Sequence, residues 1–303
     1  MTKVEVKKLH SISGHKDCVY VLEQGPEENT VFSSAGDGVV AKWNLDDPEN
    51  GRMIAKVPAS VYALCYYAPR NVLIIGQNFD GIHLVDLESK KEVGSIQTGT
   101  TAIFDIKVVK DRIIVALGSG EVQVFNLTTL ALEHQFKATD KSVRALAIHE
   151  ELGHLSVAYS DNFIRTYDLS TWKLINEIEA HKLSVFAIRY SPDGRYLLSG
   201  SRDAHLKVWD VFGGYALKTS IVAHMFAINH IDYSADSKHF VTCSMDKSIK
   251  VWDAETFNLL KVIDKARHAG HGTSINTLLW SKHNNLLVSG SDDRSISIWK
   301  ITF

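Results

Sequence analysis

The chain has 303 residues, 33 basic against 35 acidic, with 45% apolar residues and five prolines. The balanced charge excludes a broadly basic nucleic-acid binder, and the apolar content excludes a disordered chain. Three cysteines, Cys18, Cys65 and Cys243, give no disulfide framework and fit a reducing, cytoplasmic setting. No apolar run approaches the roughly 20 residues of a membrane helix, so no membrane association is expected. The start, Met1-Thr2-Lys3-Val4-Glu5, lacks the apolar core of a signal peptide.

In chain order, the stretch Lys3–Leu9 alternates as a strand does. A first unit then runs from Gly14-His15 to Trp43-Asn44. The second contains the turn Ala68-Pro69-Arg70-Asn71 and ends near Val85-Asp86; the third ends near Phe125-Asn126 and the fourth near Tyr167-Asp168. The fifth is the most legible. Val185–Tyr190 reads as a strand, Ser191-Pro192-Asp193-Gly194 as a turn, Tyr196–Gly200 and His205–Trp209 as the next strands, and Ala216–Ile221 as a fourth. The sixth holds the turn Ser234-Ala235-Asp236-Ser237 and ends near Trp252-Asp253. The seventh holds Lys282-His283-Asn284-Asn285 and ends near Trp299-Lys300. The end markers are spaced 42, 40, 42, 42, 43 and 47 residues apart. Length alone suggests two domains, at about 150 residues each, but seven units of this size take up residues 1–303 as one array. No 3.6-residue amphipathic pattern of useful length interrupts them, so the chain reads as all-β, and four-stranded units at this period point to a seven-bladed β-propeller.

Four units share fixed offsets. A histidine lies 28 residues before the closing tryptophan, a hydroxyl residue ten before it and an aspartate six before it. The sets are His15, Ser33, Asp37, Trp43; His181, Ser199, Asp203, Trp209; His224, Thr242, Asp246, Trp252; and His271, Ser289, Asp293, Trp299. With Gly14-His15 and Gly270-His271 opening units and Trp-Asp closing others, the chain resembles the WD-repeat family. That resemblance implies four-stranded antiparallel blades and a hydrogen-bonded tetrad in each full unit, aspartate to histidine to hydroxyl to indole. It also implies that residues 3–10 supply the missing outer strand of the last blade and close the ring. His–Ser–Asp also spells a hydrolase triad, but four equivalent active sites in one small protein are implausible. No Gly-x-Ser-x-Gly elbow frames these serines either.

The other three units depart from the pattern. Val57 and Phe79 replace histidine and aspartate in the second, Ser119 replaces aspartate in the third, and Thr139 and Val157 replace histidine and hydroxyl in the fourth. These blades are expected to rest on apolar packing through Leu64, Ile74, Ile75, Ile106, Ile114, Val115, Leu146 and Ile148.

In the resembled family, the loops leading into the first strand share a face with the turns between strands two and three, and partners commonly bind there. Five residues after each histidine position stand Tyr20, Tyr62, Arg144, Phe186, Asn229 and Asn276, with Phe104 at the shortened third unit. Residues preceding the turn aspartates add Arg202, Met245 and Asp292. Aromatics with arginine are the composition of interface hot spots, although aromatics also favour strand ends. The expected function is a non-catalytic scaffold, monomeric, that binds a protein or peptide on this rim. Two alternatives are a phosphopeptide module clamped by Arg144 and Arg202, and a hydrolase- or lactonase-type propeller; for the latter the inferred rim offers no carboxylate pair. No cofactor or metal is expected. His268 and His271 are close in sequence, but His271 is taken by a tetrad, and no glycine-rich loop leads into a helix. The interval from Trp252 to His271 is 19 residues against 14 or 15 elsewhere, with extra residues around Lys265–Gly270.

Overall fold

The computed structural model describes residues 4–303 and arranges them as seven four-stranded antiparallel sheets in a ring. Lys3, at the start of the expected closing stretch, lies outside the described residues. Blade one is typical: Val19–Gln24 is innermost, followed outward by Thr30–Ala35, Val39–Asn44 and Asp47–Lys56. Because each sheet is covered on both faces, its second strand is buried along nearly its whole length, apolar in blade two with Leu73, Ile74 and Ile75 and interspersed with hydroxyls in the tetrad blades. The outermost strands revert to polar alternation, as in Leu174–Glu179.

Seven apolar cores fill the seven gaps between neighbouring blades. The core between blades two and three, for example, interleaves Ile74, Ile82 and Leu84 with Ile103, Ile106 and Val115. Leu64, Ile75, Ile114 and Leu146 are buried as the sequence implies, while Ile148 is half-buried.

The ring closes in blade seven. Glu5–Ser13 pairs antiparallel with Ser295–Thr302, from Glu5 opposite Thr302 to Ser13 opposite Ser295. The closing strand is therefore longer than the expected 3–10, because its register continues until Ile12 enters the core between blades seven and one. One helical turn, Lys265–His268, occupies the long loop before blade seven, capped by the Asp264 carboxylate accepting from the Arg267 N–H at 2.9 Å. The loop clasps the closing strand, with the Lys8 ammonium donating to the Ala269 carbonyl at 3.0 Å.

The four sets of recurrent residues are hydrogen-bonded. In blade five the Trp209 indole donates to Ser199 Oγ at 2.9 Å, Ser199 lies 2.8 Å from His181 Nε2, and His181 Nδ1 is 3.2 Å from Asp203. Asp203 also accepts the N–H groups of Lys182 and His205. The same chain recurs through Trp43, Ser33, His15 and Asp37, through Trp252, Thr242, His224 and Asp246, and through Trp299, Ser289, His271 and Asp293. Burial lowers the proton affinity of His15, His181 and His224, which suits a neutral ring that accepts at one nitrogen and donates at the other. Burial alone would raise the Asp203 pKa; the bonds from His181 and Lys182 overcome it and hold the carboxyl well below its usual range.

Blade four is a correction to the expectation of purely apolar packing. Ser156 Oγ lies 2.8 Å from Thr166 Oγ1 and 2.7 Å from the Tyr190 hydroxyl. Tyr190 in turn meets Tyr215, which meets His154 Nδ1 at 2.8 Å. This hydroxyl relay spans blades four and five, and it satisfies buried polar atoms without the tetrad.

Two predictions follow from these contacts. Removing residues 4–13 exposes the edge of the strand Ser295–Thr302 and strips Val4 and Ile12 from two cores; loss of several kcal/mol, lowering Tm by about 10 °C or more, is expected. A thermal melt unchanged by the deletion contradicts this. Ser199→Ala leaves the buried Trp209 N–H and His181 nitrogen unpaired and should cost about 2–4 kcal/mol in urea unfolding, whereas a loss within about 0.5 kcal/mol shows the tetrad to be neutral.

Candidate functional site

The innermost strands surround a central channel of about 730 Å3. In all seven, the pairing with the second strand slips by one residue near the top: Val19/Val21, Val61/Ala63, Ile103/Asp105, Val143/Ala145, Val185/Ala187, Ile228/His230 and Ile275/Thr277. Each slip is a β-bulge, which inserts an unpaired residue and re-aims its side chain. The seven bulge residues are Tyr20, Tyr62, Phe104, Arg144, Phe186, Asn229 and Asn276, and all seven line the channel.

They form an uneven crown. Over blades one to five the rings and guanidinium stack in sequence. Tyr20 meets Tyr62 edge-on with centroids 4.6 Å apart, Tyr62 stacks on Phe104 at 5.9 Å, and Arg144 lies 3.9 Å from the Phe104 centroid and 4.7 Å from that of Phe186. Over blades six and seven the crown is amide. Asn229 donates to the Ile275 carbonyl at 2.8 Å and Asn276 to the Val19 carbonyl at 3.0 Å, tying each blade to the next.

Arg202, Met245 and Asp292 do not line the channel. The turns that carry them join the second and third strands, one strand farther from the axis than the bulges. Arg202 and Met245 are exposed, and Asp292 stands behind the crown, accepting from Asn276 at 2.7 Å. Phe79 is a lining residue that the spacing rule did not assign. It occupies the turn position where the tetrad blades hold aspartate, with φ of 66° and 63% exposure. An exposed aromatic in left-handed backbone is uncommon, and its replacement of the aspartate was the available signal.

Below the crown, deeper than the inferred rim, the channel is charged and carries carboxylates. Glu23, Asp105, Lys107, Arg189, His230 and Asp232 all face it. Most are bound to the neighbouring blade. Glu23 accepts from the Tyr66 N–H at 3.3 Å, Asp105 from Leu146 N–H at 2.8 Å, His230 Nδ1 from Leu278 N–H at 3.3 Å and Asp232 from Trp280 N–H at 2.7 Å. Lys107 pairs with Asp105 at 2.8 Å and Arg189 with Asp232 at 3.1 Å. Burial pushes the Glu23 carboxyl up to about 7 against the pull of Lys107, and pulls His230 down to about 4 against Asp232. A charge inside an otherwise apolar innermost strand, such as Glu23 after Val19-Tyr20-Val21-Leu22, was the sequence signal for this belt.

Four stretches, residues 6–44, 172–210, 216–253 and 264–300, match the family model described as "WD domain, G-beta repeat", and together they make up half of the chain. The chain belongs to the WD-repeat family. Those stretches cover the four tetrad blades, whereas the other three WD-type blades share the strand order without the polar signature. Among curated relatives, striatin of Homo sapiens is 24% identical over 236 residues, covering 69% of this chain and 30% of striatin. The striatin homolog of Dictyostelium discoideum is 23% identical over 219 residues, 65% of this chain and 26% of the relative. Striatin-3 of Homo sapiens is 25% identical over 210 residues, 66% of this chain and 22% of the relative. The WD-repeat chain thus spans less than a third of the length of these relatives.

Glu23 gives a pH test of the channel. Its folded pKa of about 7 lies above the ordinary 4.5, so the folded state binds the extra proton and Glu23's contribution to stability falls as pH rises between those values. Glu23→Gln removes that slope: its stability relative to wild type should rise from pH 4.5 to 7 in denaturant titrations, and a pH-independent difference refutes the assignment.

Proposed function

We propose that residues 1–303 work as one monomeric, non-catalytic WD-repeat platform that takes a peptide segment or protein domain across the mouth of the channel. The observation that carries this reading is the crown: the same bulge in every blade directs one side chain to the mouth, and five of the seven residues are aromatic or arginine. Large, stiff aromatic surfaces and arginine are what concentrated binding energy in an interface uses. Two of the three channel acids, by contrast, are engaged in holding blades together, as Asp105 and Asp232 each accept a backbone N–H and an ion-pair partner. A general acid or base needs a free oxygen directed at a substrate. The three cysteines are unpaired, which suits a reducing, cytoplasmic setting. No helix among the described residues is long and apolar enough to cross a membrane.

The test compares three immobilised proteins in an extract of the native cells: wild type, the Tyr62→Ala/Phe104→Ala/Arg144→Glu variant, and Phe212→Ser in an exposed turn of the opposite face. Thermal melts first establish that all three fold. Proteins held by wild type and Phe212→Ser should be lost from the triple variant. Retention of the same proteins by the triple variant overturns the reading.

A further inference from the structure

Arg144 differs from the other cations of the channel. Lys107 and Arg189 are each paired with a carboxylate, whereas the Arg144 side chain makes no hydrogen bond or ion pair among the described residues. Its Nε is buried without a partner, and burial pulls the guanidinium down to about 10. Phe104 and Phe186 occupy positions over the guanidinium, and a planar guanidinium held by its faces presents its N–H edge to an incoming group. That edge fits a carboxylate bidentately.

A second feature lies on the same face, two blades farther along the ring at blade six. Met225 and Phe226 in the loop before the inner strand of blade six, and Met245 in that blade's turn between strands two and three, are 81%, 59% and 51% exposed. They are held in place rather than loose: the Met225 N–H donates to Asp246 at 3.0 Å and the Ser244 hydroxyl to the Phe226 carbonyl at 3.1 Å. Leu183, 45% exposed, extends the patch toward blade five. Such a patch next to a pocket marks an interaction surface, and methionines let it adapt to different apolar side chains.

We infer that the partner is a peptide segment carrying an Asp or Glu, whose carboxylate seats on Arg144 while flanking apolar side chains cover Met225, Phe226 and Met245. This rests on the mouth being the binding face. Charge complementarity selects a carboxylate over a phosphate. A dianion calls for more than one free cation, and the other two lining cations, Lys107 and Arg189, are already paired with carboxylates, while the exposed Arg202 stands outside the lining. One carboxylate balances the one unpaired guanidinium among the lining residues.

Displayed random peptides selected on the wild-type protein test the inference. Clones whose binding is lost on Tyr62→Ala define mouth binders. These should carry an acidic residue beside Leu, Met or Phe. In fluorescence anisotropy, Glu→Gln in a selected peptide should weaken Kd by about tenfold or more, Arg144→Gln should weaken it by a similar factor, and the two changes together should cost little more than either alone. Arg144→Lys should recover part of the loss, and Met225→Ser/Phe226→Ser should weaken the same peptides. Mouth binders without acidic preference, or additive losses for the two changes, overturn the inference and leave the platform reading standing. A Glu→phosphothreonine peptide that binds more than about tenfold tighter also overturns it, in favour of phosphopeptide recognition. Absence of any clone dependent on Tyr62 overturns the platform reading itself.

Discussion

Each blade leaves one strand edge open to the central channel, and the ring depends on how that edge is satisfied. The innermost strand bonds its neighbour on one side only, so alternate N–H groups on the other side face the axis without a ladder partner. The chain supplies acceptors from the preceding blade. Glu23 serves the Tyr66 N–H, Asp105 that of Leu146, His230 and Asp232 those of Leu278 and Trp280, and Thr277 Oγ1 that of Leu22. A row of exposed backbone thereby becomes the stitching between blades. The bulge near the top of each inner strand ends this regime: one residue drops out of register and turns its side chain to the mouth. Cohesion below and the proposed recognition above are two uses of a single open edge.

This division explains which parts of the molecule were legible in the sequence. The tetrads appear as fixed offsets because an indole, a hydroxyl, an imidazole and a carboxylate must meet inside one blade, and loop lengths cannot vary without breaking the chain of bonds. The bulge positions inherit that regularity. Counting five residues from histidine reaches Tyr20 and Phe186, and the same count works in blades two and four, where Val57 and Thr139 hold the place. The three rim residues taken from the turns, Arg202, Met245 and Asp292, stand outside the channel lining for a geometric reason, since those turns sit one strand outward. Contacts that cross between units were not legible at all. The relay from Ser156 through Tyr190 and Tyr215 to His154 draws on two blades, so no single repeat displays it. The channel charges do show as charged residues within apolar inner strands, but their role is not legible, because their partners are backbone groups of the next blade.

Tetrads and fold are separable in this ring. Blades two to four keep the strand order and buried faces of the others with their polar sets incomplete, and the family model passes over them. What the seven blades have in common is the apolar core between each pair, and burial of that kind is non-directional and tolerant of which aliphatic residue supplies it. The directional bonds do something narrower. By fixing the histidine-bearing loop to the turn aspartate, as Lys16 N–H and His15 do with Asp37, they set the loop from which the inner strand starts.

The distribution of these bonds around the ring then has a mechanical reading. The tetrad blades five, six, seven and one are contiguous, and they flank the place where the ring is closed by strand pairing instead of by continuous chain. The interface between blades seven and one carries further polar ties: Asn276 to the Val19 carbonyl, Ser281 to the Glu28 carbonyl, and His283 to Asp46 at 2.6 Å. Opening the ring means separating these blades, so directional contacts count most at this seam, where apolar faces alone would slide. The opposite arc carries no such load. There the tetrad residues have given way to Phe79 and Val157, and the bulges hold Tyr62, Phe104 and Arg144 in one stack. Side chains free of structural duty at the mouth are therefore concentrated on the arc farthest from the seam. The part of a ligand that seats on Arg144 draws on surface that ring closure does not need.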